Sequence, residues 1–287
     1  MATATSVEAL LPGDHACLTF SDPDERLDLV AAFVRDGLES SSKVLCLTDS
    51  IAPERLRTEL ADRGVPMRPL PRPDQLTIAA SEESWLRNGG ARMVRWLARE
   101  LDDAQRDGFA GLRVTADMCW ITRPGAGADE LPVFESDVDK LFGDGRLTAI
   151  CQYDREVFDA VTLAFAAAVH PLAVAAAVYY EDPVLRICRQ HTPPGVRIAG
   201  ELDLGHVDEL TLALAEALRL DRDVELNLAR LHFIDAAAVG AVFRAVAGLP
   251  AGRTMRVRCG GPVLRMLRLV GLPDLPGVVI AETPGDQ

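Results

Sequence analysis

The chain has 287 residues, 48% hydrophobic and 25% charged, with a formal net charge of −13. That composition is ordinary for a folded globular protein and excludes a disordered, collagen-like or purely coiled-coil chain, while the length is close to two domains of about 150 residues each. The acidic excess lies wholly in residues 1–182, with 31 acids against 18 bases, and residues 183–287 balance at 12 and 12; such a surface repels nucleic acid and anionic membrane.

No run reaches the roughly 18 apolar residues of a membrane span, since the stretch from Val161 to Tyr180 is interrupted by His170 and Pro171. Residues 1–11 hold no basic residue and no long apolar core, so no secretory signal is expected. The cysteines at 17, 46, 119, 151, 188 and 259 never form Cys-x-x-Cys, which leaves neither a disulfide framework nor a zinc ribbon and suits a reducing cytoplasm. Lys43 and Lys140 are the only lysines beside 28 arginines, the bias of a GC-rich bacterial genome.

In chain order, Asp22-Pro23-Asp24-Glu25 predicts a helix start, with Asp22 as N-cap and Pro23 in the first turn, and Leu27, Val30, Ala31, Val34 and Leu38 form its buried stripe. A strand at 44–48 precedes a helix near 54–63. A strand near 76–79 leads to a helix carrying Met93, Leu97, Leu101 and Ala104. Strands near 111–115 and 147–152 flank a helix around 132–141, and a helix over 155–168 precedes a strand at 173–179. Strand and helix in alternation imply parallel crossovers with helices on both faces of a sheet. Glu181-Asp182-Pro183 marks a boundary, so the domains are read as 1–180 and 181–287. Beyond it, strands at 184–189 and 196–199 form a hairpin, followed by a helix with Val207, Leu210, Leu214 and Leu218, a strand at 224–228 and a helix with Val239, Val242, Phe243 and Val246. A strand at 255–259, a helix at 262–270 and a strand at 278–280 complete a domain of about 100 residues.

A phosphate-binding loop needs glycines followed by Lys and Ser or Thr at a helix start, and the matching place here holds Phe20-Ser21-Asp22-Pro23-Asp24-Glu25. Nucleotide hydrolysis is therefore not expected. His15 and Cys17, two apart on a strand, share a face. A third ligand from Cys119, Cys151 or His170 depends on the fold, as does a Cys/His nucleophilic dyad, and the plainer reading is buried cysteines with no metal and no cofactor. Asp117-Met118-Cys119-Trp120 follows a predicted strand, where α/β sheets place ligands, so Met118, Trp120 and Tyr153 line either an apolar pocket or plain core. Arg253, Arg256, Arg258, Arg265 and Arg268 offer a patch for an acidic partner or a solvated face.

Leu11-Pro12-Gly13-Asp14-His15-Ala16-Cys17, Arg35-Asp36-Gly37-Leu38, residues 44–49, Asp117-Met118-Cys119-Trp120, Cys151-Gln152-Tyr153-Asp154 and His170-Pro171 together resemble the MEDS domain, the methanogen/methylotroph sensory domain, over roughly residues 8 to 180. The resemblance implies a ligand-sensing α/β module of RecA-like fold without the phosphate loop. The ligand site implied draws on His15, Cys17, Asp117, Met118, Cys119, Trp120, Cys151, Tyr153 and His170.

Residues 184–287 resemble a STAS domain of the anti-sigma factor antagonist type, through Gly200-Glu201-Leu202-Asp203 and through 224–228 followed by Phe233-Ile234-Asp235-Ala236-Ala237-Ala238-Val239-Gly240. In that family the residue after this Asp is a Ser or Thr that a kinase phosphorylates. Here it is Ala236, with Ala237 and Ala238 where Ser/Thr and Gly are common, and no Ser, Thr or Tyr occurs between Thr211 and Thr254. Asp203 and Asp235 to Ala238 are the implied partner-binding residues, Asp235 also serving as a helix N-cap. The expectation is a non-enzymatic cytoplasmic bacterial signalling protein, sensing a small apolar ligand and binding an anti-sigma factor or related regulator, with no direct nucleic-acid or membrane contact; a homodimer is compatible with it. The rival readings are an enzyme with a Cys/His or metal site around His15, Cys17 and Cys151, and an orphan scaffold.

Overall fold

Asp22 opens the first long helix as its sequence predicts: the carboxylate accepts from the Asp24 amide at 2.9 Å, and α1 runs over Pro23–Glu39. The computed structural model describes residues 2–67, 70, 72, 74–81, 90–123 and 130–283, which form two compact units, Met1–Ala175 and Ala176–Gln287.

In the first unit the strands β1 (Thr3–Thr5), β2 (His15–Phe20), β3 (Lys43–Thr48), β4 (Leu76–Ala80), β5 (Leu112–Asp117), β6 (Leu147–Asp154) and β7 (Leu172–Val174) lie in the order β1-β7-β2-β6-β5-β3-β4. Every neighbouring pair is parallel. The helices α2 (Pro53–Asp62), α3 (Gly90–Arg106), α4 (Glu130–Asp139) and α5 (Ala160–Val169) supply the remaining cover. Because successive strand residues point to opposite faces, Val44 and Cys46 pack with α1 and α2 while Leu45 and Leu47 pack with α3 and α4. The central strands β2, β3, β5 and β6 are buried on both sides, as a parallel sheet between two helical layers requires.

The second unit has a six-stranded mixed sheet, β13-β12-β11-β10-β9-β8. Its strands are β8 (Val178–Glu181), β9 (Leu185–His191), β10 (Pro194–Leu202), β11 (Val224–Ile234), β12 (Met255–Cys259) and β13 (Val278–Glu282). β8, β9 and β10 pair antiparallel, and β10 to β13 pair parallel. Helices α6 (Val207–Leu220), α7 (Ala236–Ala247) and α8 (Gly261–Leu269) bury one apolar core against it, centred on Ile187, Ile198, Leu210, Leu226, Val242 and Val257. Residues 173–179, which read as one strand, are divided between β7 of the first sheet and β8 of the second. The three-residue β1 had no sequence signal of its own; it forms by adding its backbone to the edge at β7.

Candidate functional site

On the α3/α4 face of the first sheet, β2 and β6 lie side by side with Cys17 opposite Cys151. The pleat turns His15, Cys17, Cys151 and Tyr153 toward that face. α4 brings Glu135 over them, and the chain leaving α5 brings His170, so that one ligand-capable atom from each of His15, Glu135, Cys151 and His170 lies within 4.8 Å of the others. All four residues are buried. His15 Nε2 is 3.6 Å from Cys151 Sγ and 3.6 Å from Glu135 Oε2, and His170 Nε2 is 3.8 Å from the same oxygen. Tyr153 Oη donates to Glu135 Oε1 at 2.8 Å, His170 Nδ1 donates to the Ala166 carbonyl at 2.8 Å, and the His15 ring stacks on Phe142 with centroids 4.3 Å apart. Among the described residues, Glu135 Oε2 and His170 Nε2 have no hydrogen-bond partner. Beside the cluster is a cavity of about 20 Å³, lined by His15 and Cys151 and otherwise by apolar side chains including Met93, Leu97, Val114, Met118 and Phe134. It holds little more than one water-sized sphere.

Burial dominates the protonation of this cluster. It lowers His15 to about 3, with His170 adding to the effect, and lowers His170 to about 4. It raises Glu135 to about 7 against the Tyr153 hydrogen bond. The Cys151 thiol is pushed well up by burial and by the Glu135 carboxylate. A nucleophilic dyad needs the reverse, a thiolate beside an imidazolium, so the 3.6 Å contact between Cys151 and His15 has the spacing of a dyad without its electrostatics.

The other residues expected in one ligand site are parted by the pleat. Asp117 belongs with Thr115 and Gln152 on the α1 face, where Arg26 Nη2 donates to Asp117 Oδ2 at 2.8 Å, Arg26 Nε to Gln152 Oε1 at 2.6 Å, and Ser50 Oγ to Asp117 Oδ2 at 2.5 Å. Burial pushes the Asp117 carboxyl up, but the Arg26 charge and the hydrogen bonds from Ser50 and Cys119 outweigh it and hold it at about 2. Met118 reaches the cavity. Trp120 does not line it, packing edge-on to Phe134 at 6.0 Å instead. Cys17 Sγ lies 3.6 Å from the Leu172 carbonyl, and Cys119 donates its amide to Asp117. Between β2 and α1 only Ser21 and Asp22 intervene, too short a link to wrap a phosphate, and the Arg26 side chain is committed to the Asp117 network. Calorimetry is therefore expected to give no saturable heat with ATP below about 10 μM, some 7 kcal/mol of affinity; a saturable isotherm in that range would refute the inference.

In the second unit Asp235 N-caps α7. Its Oδ1 accepts from the Ala238 amide at 2.8 Å and its Oδ2 from the Leu204 amide at 2.8 Å, tying the start of α7 to the turn at 204–206. Asp203 caps that turn, accepting from Gly205 N at 2.8 Å. Ala236 is exposed, Ala237 half-buried and Ala238 buried, and the exposed apolar side chains of Leu204 and Phe233 lie on the segments that Asp235 joins.

The model described as MEDS: MEthanogen/methylotroph, DcmR Sensory domain matches residues 14–171, more than half of the chain. The chain belongs to the MEDS family. A second model, described as STAS_2: Mlab, STAS domain, matches residues 186–279, so a STAS domain follows the MEDS domain. No curated protein matches the chain. Among solved structures, the KaiC-like protein PH0186 from the hyperthermophilic archaeon Pyrococcus horikoshii OT3 is similar at 13% identity and TM-score 0.43, over 66% of this chain and 79% of that one. The flagellar accessory protein FlaH from Methanocaldococcus jannaschii is similar at 6% identity and TM-score 0.44, over 64% and 80%. The Bacillus cell fate determinant SpoIIAA in its phosphorylated form is similar at 28% identity and TM-score 0.24, over 30% of this chain and 82% of that one.

Within the MEDS domain the residue that sequence reasoning missed is Glu135. Leu131, Phe134, Val138 and Phe142 make a helical stripe at spacings of three and four, and Glu135 falls inside it. A carboxylate on an otherwise apolar helix face was the available signal. In the STAS domain the arginines do not form one free patch. Arg253 donates to the Leu218, Asp221 and Arg222 carbonyls at the end of α6, Arg258 pairs with Glu225 at 3.1 Å, and Arg268 pairs with Glu282. Among the described residues no helix is long and apolar enough to cross a membrane.

Proposed function

We propose that this is a signalling protein in which the MEDS domain senses a small apolar molecule and the STAS domain binds an anti-sigma factor or a related regulatory protein. The observation that carries the sensing half is the apolar cavity against the buried His15/Glu135/Cys151/His170 cluster. Its size favours small ligands. The protonation pattern of Cys151 and His15 favours sensing over a thiol enzyme. A ligand alters signalling only through a difference in its affinity for two conformations.

The STAS half rests on the exposed start of α7. A phosphoryl group there would add about −1.5 to −2 charges, and the methyl of Ala236 has no oxygen to receive one. This surface then stays in its unphosphorylated form, and control passes to the MEDS domain. Short-chain alcohols and haloalkanes titrated into the full chain should perturb the NMR signals of methyl groups around the cavity, Met93 and Met118 first. The same ligand should change the amount of regulatory partner captured from the native host, while ATP should not. Perturbations confined to the surface, or a phosphate mapped to residues 220–252 of the wild-type chain, would refute the respective half.

A further inference from the structure

We infer that His15, Glu135, Cys151 and His170 form a closed binding site for a zinc-like divalent transition-metal ion in the core of the MEDS domain. This site goes beyond the small-molecule reading, which concerns the adjoining cavity, and stands or falls separately.

The first argument is spacing. Tetrahedral zinc with bonds of about 2.0–2.3 Å to nitrogen, oxygen and sulfur sets its ligand atoms about 3.3–3.7 Å apart. The three distances at hand are 3.6, 3.6 and 3.8 Å, and all four atoms fall within 4.8 Å of one another, so small side-chain adjustments complete the shell.

The second argument is the orphaned atoms. Of the four converging atoms, Cys151 Sγ and His15 Nε2 lie within hydrogen-bond reach of each other, while Glu135 Oε2 and His170 Nε2 have no hydrogen-bond partner among the described residues. The Tyr153 hydroxyl proton goes to the other oxygen of Glu135, and the His170 Nδ1 proton goes to the Ala166 carbonyl, which leaves His170 Nε2 as a bare lone pair aimed at Glu135 Oε2. Buried groups of this kind are ordinarily satisfied, and a cation satisfies all four at once. These contacts have the form of the outer hydrogen bonds that orient metal-bound side chains. His15 Nδ1 lies 3.9 Å from Asp139 Oδ1, beyond hydrogen-bond distance, and a modest movement of the exposed Asp139 side chain would supply the same orienting bond.

The third argument is charge. A dication bound by one carboxylate, one thiolate and two neutral imidazoles is a neutral unit, the cheapest form in which to bury an ion. On binding, the Cys151 S–H bond breaks, the sulfur takes its electron pair to the metal, and the proton leaves to solvent. The donor set of one sulfur, two nitrogens and one oxygen suits zinc and its neighbours and excludes magnesium and calcium, which take oxygen shells. Four protein ligands leave no open coordination position, the pattern of a structural or metal-sensing site. Asp139, two-thirds exposed beside the His15 ring, puts the site one side chain from the surface.

The test uses the full chain stripped with a chelator and titrated with Zn²⁺ and Co²⁺. One tightly bound equivalent is expected, with intense tetrahedral cobalt bands and a thiolate-to-cobalt charge-transfer band. Cys151→Ser should abolish the charge-transfer band and weaken binding at least tenfold, and His170→Gln should weaken binding as strongly. X-ray absorption of the wild-type zinc form gives a readout that needs no variant to fold, and should show one sulfur among nitrogen and oxygen neighbours. Binding of no metal, a first shell without sulfur, or stoichiometry and spectra unchanged in Cys151→Ser would overturn the inference.

Discussion

Replacing Asp117 by alanine is expected to cost the MEDS domain about 3–5 kcal/mol, because it leaves the buried Arg26 guanidinium without its counter-charge. The side chain is 1% exposed and accepts from Arg26, from the Ser50 amide and hydroxyl and from the Cys119 amide, so one substitution strands donors on α1, after β3 and after β5 together. All three tryptophans, Trp85, Trp96 and Trp120, lie in the first unit, so tryptophan fluorescence during urea unfolding follows this domain alone. The pH dependence has a defined sign. The folded carboxyl is held at about 2 while an unfolded aspartate titrates near ~3.9, so the stabilisation is complete above about pH 4 and is lost as pH falls toward 2. The gap between wild type and variant should be flat from about pH 5 to 8 and narrow below about pH 4. A loss under ~1 kcal/mol at neutral pH would mean that water replaces the carboxylate and the network is not sealed.

Trp120→Ala should be comparably damaging, about 3–5 kcal/mol, as expected for truncating a large buried aromatic. Trp120 is 2% exposed and packs its ring on the edge of Phe134, a wall of the small cavity. Removing the indole frees Phe134 and opens apolar space next to that cavity. Engineered apolar voids stay dry and take up small apolar molecules, so benzene should raise the melting temperature of the variant and leave that of wild type nearly unchanged. Trp120→Phe, which keeps an aromatic ring against Phe134, should recover most of the stability. If Trp120→Ala unfolds at the wild-type urea concentration, the indole is not part of the core.

The fold was legible where local chemistry decides it. Asp22-Pro23 and the stripe from Leu27 to Leu38 predict α1, and Met93, Leu97, Leu101 and Ala104 at spacings of three and four predict α3. The site was legible only in part. His15, Cys151 and His170 could be picked out as ligand-capable, but their meeting depends on β2 lying between β7 and β6, a strand order that no local pattern encodes. Asp117 and Met118 read as one motif and serve opposite faces, since adjacent residues at the end of a strand diverge: Asp117 locks α1 and Met118 meets the cavity. Glu135 was hidden for the opposite reason. Carboxylates on helices are usually solvated, and only its place between Phe134 and Val138 marks it as buried. In the STAS domain Asp235 was recognisable as a cap from its position, whereas its second bond, to Leu204, comes from another segment.

The order β1-β7-β2-β6 also constrains how the MEDS domain is made. β2 is synthesised well before its hydrogen-bonding neighbours, residues 147–154 and 172–174, which follow more than 120 residues later. Long separations of this kind delay folding, because the loop must close before any contact stabilises it. A nascent chain that has not yet reached Leu147 therefore holds β2 as an unpaired apolar strand with both edges open, the form most prone to aggregate and to need a chaperone. His170 arrives last of the four clustered side chains, just ahead of β7, so the cluster and the sheet reach completion within a few residues of each other as the ribosome moves on toward the STAS domain.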